Sequence, residues 1–136
     1  MIEALEWVDA RAAMQAMIDG TEHAGVLVQA RYEQSADEYG QPDPATVEVV
    51  VYETPGGNIG YVDRLDEITL DVYAPRGEKA KKVAESVLRM VCGTNIDTPE
   101  GFLDTVRPRT VPVEVPYQSP VLSKATTTLQ VIHRPL

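Results

Sequence analysis

Residues 65–91 have the sequence LDEITLDVYAPRGEKAKKVAESVLRMV, and the period of their hydrophobic pattern changes from two to about 3.6 along the stretch. Residues 67–74 alternate between polar and apolar, which predicts a strand with one buried face and one solvated face. From residue 78 to 91 the apolar residues recur at i, i+3, i+4 and i+7, which predicts an amphipathic helix. The turn Pro75-Arg76-Gly77 joins the two, so we expect the helix to lie on the sheet that contains the strand.

A further helix is predicted at the start of the chain. Residues 2–18 are rich in Ala, Leu, Met and Glu, contain no Gly or Pro, and are followed by Gly20, a residue frequent just after a helix. Its apolar surface is wider than one stripe, because Trp7 and Met14 lie on a second line of apolar residues. We therefore expect this helix either to be sandwiched within the fold or to contact another subunit through that line.

Two β-rich runs, 25–33 and 46–52, predict strands, and the polar interval 34–44 between them contains Gly and Pro. Loops of this length are often functional, so we expect an exposed loop that projects from the domain. The glycine-rich residues 55–58 predict a turn after the second strand. The candidate contact residues in the long loop are Asp37, Glu38, Tyr39 and Asp43.

In the C-terminal part, Thr98-Pro99-Glu100 is typical of a helix N-cap followed by proline and predicts a short helix through Val106. Prolines at 108, 112, 116 and 120 remove backbone donors from one edge of an extended segment, which can therefore form an edge strand but not a central one. Residues 124–134 predict the last strand. We therefore expect one α+β domain over residues 1–136, with a mixed, mostly antiparallel sheet of about five strands and two main helices packed on it.

Composition places the chain among globular proteins. Hydrophobic residues make up 43% of its 136 residues and charged residues 24%, close to the globular average. No apolar run approaches the roughly 18 residues of a membrane span, and the acidic N-terminus is unlike a signal peptide. The single cysteine, Cys92, cannot form an intramolecular disulfide, so the cytoplasm is the expected compartment.

The net charge of −9 is unevenly distributed. Residues 1–53 carry eleven acidic and only two basic residues, whereas residues 54–136 balance. This sign is opposite to that of a protein that binds a phosphate backbone. Basic residues gather at the start of the second helix, where cations oppose the helix dipole, so we expect them to serve a contact outside the helix. A solvated face remains the alternative for both charge clusters. The basic cluster consists of Arg76, Lys79, Lys81 and Lys82.

No pattern predicts a catalytic, cofactor or metal site. His23 and His133 are isolated in the sequence, and neither has a nucleophile beside it. The carboxylates Asp63, Asp66, Glu67 and Asp71 match no EF-hand spacing, and strand alternation scatters their directions. Residues 56–60 are glycine-rich but lack the Lys-Ser/Thr of a phosphate loop.

The order of predicted elements (helix, strand, long loop, strand, strand, helix, strand, strand) resembles that of the tail terminator proteins of long-tailed, non-contractile bacteriophages, the lambda-type family. Residues 65–91 carry the most specific part of the resemblance, a strand, a short turn and a helix whose Ala and Val residues face the sheet. The tail of the chain is similar too: a short helical segment, a Pro/Tyr-containing strand at 116–120 and a final strand at 129–134.

The resemblance implies a structural virion protein, not an enzyme, that forms a ring, typically a hexamer, on the last ring of the tail tube. Its place would be the head-proximal end of the tail, after assembly in the host cytoplasm. Its partners would be the tail tube protein and the head–tail connector or stopper protein, and DNA would pass through the lumen without specific binding. No membrane and no cofactor are involved.

A closing ring needs two different complementary faces on each subunit, and the charge clusters and the second apolar line suit that need. The expected subunit interface contains Arg76, Lys79, Lys81, Lys82, Trp7 and Met14. The expected lumen or tube-contacting loop contains Asp37, Glu38, Tyr39 and Asp43, whose acids would repel phosphate. Three other functions stay open: another phage neck or completion protein, an acidic DNA mimic that inhibits a nucleic-acid-binding protein, and a small enzyme with scattered carboxylates.

Overall fold

A computed structural model describes residues 6–33, 47–60, 62–119 and 121–136. The strand and helix predicted within residues 65–91 are both present and form the centre of the fold. The elements in chain order are α1 (Ala10–Ile18), β1 (Glu22–His23), β2 (Val26–Arg31), β3 (Val47–Ile59), β4 (Arg64–Ala74), α2 (Gly77–Val91), β5 (Gly93–Thr98), β6 (Gly101–Pro108), β7 (Val113–Val115) and β8 (Ser123–His133).

The strands form one curled sheet in the order β1-β2-β3-β4-β8-β6-β5, with β7 paired to β8 beside this path. Only β2 and β3 pair in parallel, and the other pairs are antiparallel. The predicted α+β class with two helices and a mixed, mostly antiparallel sheet is confirmed. The expected size of about five strands is wrong, because the described residues alone form a sheet of eight strands.

The main core lies between the two helices and one face of the sheet. Ile68, Leu70 and Val72 of β4 are fully buried, and they belong to the same apolar cluster as Val83 and Val87 of α2. Each such side chain contributes about 1.5–3 kcal/mol when it leaves water. The apolar face of α2 therefore lies on the sheet, as its period predicts.

The first helix is shorter than its prediction. It begins after Asp9, whose carboxylate accepts a hydrogen bond of 3.0 Å from the backbone N–H of Ala12 and caps the helix. Residues 1–5 lie outside the described residues. Trp7 precedes the helix and forms a β-bridge with Pro135, so it does not share a helical face with Met14.

The short helix predicted from Thr98 to Val106 is wrong, because these residues form the β5–β6 hairpin. Thr98, Pro99, Glu100 and Gly101 occupy the four positions of its tight turn, with proline second and glycine fourth. The hydroxyl of Thr98 bonds to both the carbonyl oxygen and the N–H of Gly101. A threonine before proline can thus close a turn as readily as it caps a helix.

The turn predicted at residues 55–58 is also wrong, because β3 runs on through it to Ile59. The pairing of β3 with β4 shifts register between Thr54 and Asn58, so the glycines mark an irregularity within the strand. Gly57 lies so close to β4 that a Cβ there would come within 2.1 Å of the carbonyl oxygen of Leu65. Glycine is required because the two backbones approach each other here.

The strands predicted over 25–33, 46–52, 67–74 and 124–134 are present with shifted ends. The proline-rich segment supplies the short strand β7, which pairs only with β8, as an edge strand should. One expectation about β4 is wrong. Its polar side, expected to be solvated, is buried as well: Glu67, Thr69, Asp71 and Tyr73 are each less than a tenth exposed.

Candidate interaction surfaces

The predicted basic cluster lies at the start of α2, at one end of the sheet. Arg76 is the N-cap residue and its side chain makes no capping hydrogen bond. The ammonium group of Lys79 donates a hydrogen bond of 2.5 Å to the backbone carbonyl of Ala24 in the β1–β2 turn. Arg76, Lys81 and Lys82 form no ion pair with any residue in the described part of the chain.

Three of the four cations line a groove between the first turns of α2 and the start of β2 and β3. The groove has a volume of roughly 660 Å³, with Val26 and Val47 on its apolar floor. The remaining lining residues are Ala24, Pro75, Arg76, Glu78, Lys79 and Lys82. Lys81 is a neighbour in sequence but is not part of the lining. The structure thus divides the predicted cluster into groove residues and one cation outside the groove.

Trp7 and Met14 do not form a joint surface. Met14 is fully buried in the main core, so it offers no contact area to another subunit. Trp7 is half-buried and packs edge-on against the ring of His133, with 5.8 Å between the ring centroids. Among the described residues of the second apolar line, burial within the subunit therefore accounts for Met14 fully and for Trp7 in part. The predicted loop contacts Asp37, Glu38, Tyr39 and Asp43 lie outside the described residues.

A row of buried ion pairs on the second face of the sheet was not predicted. Glu48 faces Arg31 at 3.5 Å, and Asp71 faces Lys124 at 3.4 Å. The carboxylates are buried on the central strands β3 and β4, while the bases come from neighbouring strands and keep part of their side chains in water. A buried carboxylate without such a base would be costly, so the pairs make the burial of this face possible.

The third pair joins Glu67 of β4 to Arg109, which follows β6. The carboxylate of Glu67 also explains the irregularity in β3, because a Cβ at Gly56 would lie 2.1 Å from its Oε2 atom. Gly56 has a φ of +138°, which side chains other than glycine rarely adopt. The glycine therefore leaves room for a charged group that the fold has buried.

Tyrosines accompany the ion pairs. Tyr73 packs against Tyr117 with 5.1 Å between ring centroids, and Val50, Tyr73 and Leu122 form a small second core. Burial, together with the charge and hydrogen bond of Asp71, raises the pKa of Tyr52 to about 12. Burial by itself lowers the pKa of Lys124, but the attraction of Asp71 outweighs it and the net pKa is raised. Lys124 therefore remains charged at neutral pH.

Both histidines are buried and hydrogen-bonded. His133 is fully buried, and its Nε2 atom lies 2.6 Å from Oδ2 of Asp66. Burial by itself raises the pKa of Asp66. The hydrogen bonds from His133 and Arg64 lower this pKa by more than burial raises it, so the net shift is downward. His23 lies between the hydroxyls of Thr21 and Ser86, and burial lowers its pKa. The Nδ1 atom of His133 has no partner within the described ranges and faces no solvent.

The four carboxylates considered as a cation site do not converge. Asp66 bonds to His133 and Arg64, while Glu67 and Asp71 meet separate bases on the opposite face of β4. Within the ranges that the structure describes, no group of three or more His, Cys, Asp or Glu side chains is placed to hold a metal ion. No helix in the same ranges is long and apolar enough to cross a membrane.

Comparison with protein-family models found no match to this chain, and comparison with curated proteins found none either. The sequence located the cations but not the groove, whose floor comes from Val26 and Val47 at the starts of two strands. Finding the groove would have required knowing that those two strands pair in parallel, which a single sequence does not reveal. The buried acids on β4 gave a misleading signal, since polar alternation usually means solvent.

Proposed function

We propose that this chain is a structural protein of a long-tailed, non-contractile bacteriophage that forms a ring, of six subunits, on the end of the tail tube. The ring ends polymerisation of the tube protein and offers a docking surface to the head–tail connector or stopper protein. The observation that carries the proposal is the separation of charge on one subunit. Cations that form no ion pair with the described residues surround the start of α2, while residues 1–53 hold the whole excess of negative charge.

Two different complementary surfaces on one chain favour heterologous contacts between identical subunits. Such contacts produce a ring when the rotation between subunits closes. An isologous dimer would pair the same charges twice across its two-fold axis, so the oligomeric mass is what distinguishes it from a ring. The resemblance carried by residues 65–91, whose strand and helix are both present, supports the same assembly and supplies the subunit number.

The outer edge of β2 favours assembly through side chains instead of strand addition. The backbone of Val28 exchanges hydrogen bonds of 2.9 and 3.0 Å with Thr21 and Gly20. Further along the strand, Asp19 accepts from the N–H of Ala30, and the amide of Gln15 donates to its carbonyl. An edge satisfied in this way is not a template for another chain's strand, which suits a ring of defined size.

The acidic excess also suits a lumen for DNA. A negative wall repels the phosphate backbone and lets the duplex pass without binding to it. The proposed location is therefore the head-proximal end of the tail, with assembly in the host cytoplasm. The proposal includes no catalytic group, cofactor or metal.

The oligomeric mass of the purified protein, measured by light scattering during size-exclusion chromatography, tests the proposal directly. We expect a closed oligomer visible as rings by electron microscopy. The triple variant Lys79→Glu, Lys81→Glu, Lys82→Glu should weaken it while retaining the fold, since these side chains lie off the buried Ala80 and Val83 face. Complementation of a phage that lacks the gene should restore normal tail length. A persistent monomer that binds a DNA-binding protein would instead favour the DNA mimic.

A further inference from the structure

We infer that the groove at the start of α2 is the socket for the acidic part of a second copy of this chain. This assignment rests on the proposed ring and names the surface through which its subunits meet. The groove combines an apolar floor, made by Val26 and Val47, with a basic rim. A surface of that composition fits a segment that presents carboxylates beside an apolar side chain.

The rim is positively charged in a chain whose net charge is −9. Arg76, Lys79 and Lys82 line it together with a single carboxylate, that of Glu78. Lys79 is held in place by its hydrogen bond to the carbonyl of Ala24, so its charge is fixed at the groove before a partner arrives. Arg76 and Lys82 have no anionic partner among the described residues. A matching anionic surface would therefore gain attraction without breaking an ion pair to any of the described residues.

The same chain supplies acidic residues that could match the groove in charge. Residues 1–53 contain eleven acidic residues, and among the described ones only Glu48 forms an ion pair. Large apolar side chains are exposed in this half as well: Leu27 is 64% and Tyr32 is 61% exposed, and Glu33 follows Tyr32 directly. Glu33 beside Tyr32 has the composition that the groove favours, with the guanidinium of Arg11 lying 4.5 Å from the centre of the Tyr32 ring. A second copy is thus the occupant for which both halves of the contact are present.

The chain offers a matched pair of variants. Lys81 and Lys82 are adjacent, exposed and on the same helix, yet only Lys82 lines the groove. Lys82→Glu and Lys81→Glu therefore make the same change in net charge, and long-range repulsion affects both. A difference between the effects of the two variants on self-association would therefore come from a contact inside the groove. Circular dichroism and the midpoint of thermal unfolding should show that both variants fold like the wild type.

We expect Lys82→Glu to weaken self-association at least about tenfold more than Lys81→Glu, and Arg76→Glu combined with Lys82→Glu to abolish it. Carbodiimide cross-linking of mixed ¹⁴N- and ¹⁵N-labelled protein should join Lys79 or Lys82 to acids within residues 1–53 of the other copy. Equal effects of the two lysine variants, or intermolecular cross-links that avoid both groove lysines, would overturn the socket and leave the ring standing. A wild-type protein that stays monomeric at about 100 µM, well above the range of specific assemblies, would overturn both.

Discussion

The two faces of β4 are equally inaccessible to water, yet they are buried by different chemistry. Toward the helices, Leu70 and Val72 pack into a continuous apolar core. Toward the other side, Asp71 and Tyr73 are covered by an ion pair, by tyrosine packing and by Leu122 from the segment between β7 and β8. Burial on a strand therefore does not imply an apolar face.

The difference shows how the two faces resist change. The apolar face depends on shape, because every methyl group removed leaves a void in close-packed surroundings. The ion-paired face depends on both partners of each pair being present. Burying the two charges together costs little free energy, whereas one partner alone is a buried charge without compensation. The first face should therefore respond to lost volume and the second to lost partners.

The largest expected effect is on the apolar face. Leu70→Ala should lower the free energy of unfolding by about 2–5 kcal/mol, since Leu70 is fully buried and its loss leaves a cavity. Urea denaturation followed by circular dichroism measures the change. Leu70→Met is the control, because it keeps the volume and should cost less than about 1.5 kcal/mol. A loss below about 1 kcal/mol for the alanine variant would mean that the face is not close-packed.

On the ion-paired face, Asp71→Leu alone should cost about 1–3 kcal/mol, less than the full cost of breaking a buried pair because the side chain of Lys124 is 25% exposed. The double variant Asp71→Leu, Lys124→Met should recover most of this loss, since it removes both charges. The double-mutant cycle from urea denaturation measures the recovery. A double variant less stable than both single variants would contradict the comparison.

The same substitution changes the titration of Tyr52. Burial and Asp71 raise its pKa to about 12, and the burial contribution should remain in the variant. We therefore expect the pKa of Tyr52 in Asp71→Leu to fall part of the way toward its ordinary value of 10.0, measured from the ultraviolet absorbance of the phenolate. An unchanged pKa would show that the carboxylate does not reach the phenol.

The sequence predicted the apolar face better than the ion-paired one for a physical reason. Period-two alternation states which residues share a face, and Leu70 and Val72 were correctly assigned to one. It contains no information on what covers the opposite face. The cover comes from Arg109, Tyr117 and Leu122, which are distant in sequence and reach β4 only through the course of the chain after β6.

Local sequence patterns gave wrong predictions where the same pattern is compatible with two different structures. Thr98-Pro99 satisfies the first positions of a helix and of a tight turn equally well, and Gly101 is the residue that selects the turn. The candidate site shows the same limit. The sequence located Arg76, Lys79 and Lys82, but only the pairing of β2 with β3 brings Val26 and Val47 beneath them.

A smaller effect is expected at Asp66, which connects the end of β4 to His133. Its lowered pKa means that the folded state favours the charged carboxylate. That stability is present above the unfolded pKa of 3.8 and is lost as the pH falls through the folded pKa. Asp66→Asn should cost about 1 kcal/mol at neutral pH, and the gap to the wild type should narrow below about pH 4. Urea denaturation of both proteins at neutral pH and below about pH 4 measures this difference in unfolding free energy. A difference that widens in acid would contradict the prediction.

The smallest effect is expected for an ion pair that resembles those on the buried face but lies in water. Arg134 contacts Asp104 at 2.9 Å, yet its side chain is 64% exposed, whereas the carboxylate of Asp71 is 6% exposed. Solvent screening and the entropy of two mobile side chains should leave a coupling energy below about 0.5 kcal/mol in a double-mutant cycle of Arg134→Gln and Asp104→Asn. Salt at about 1 M, where the Debye length falls to about 3 Å, should remove even that. Because the charges and the distance are similar, a coupling as large as that of Asp71 with Lys124 would show that burial is not what distinguishes the two faces.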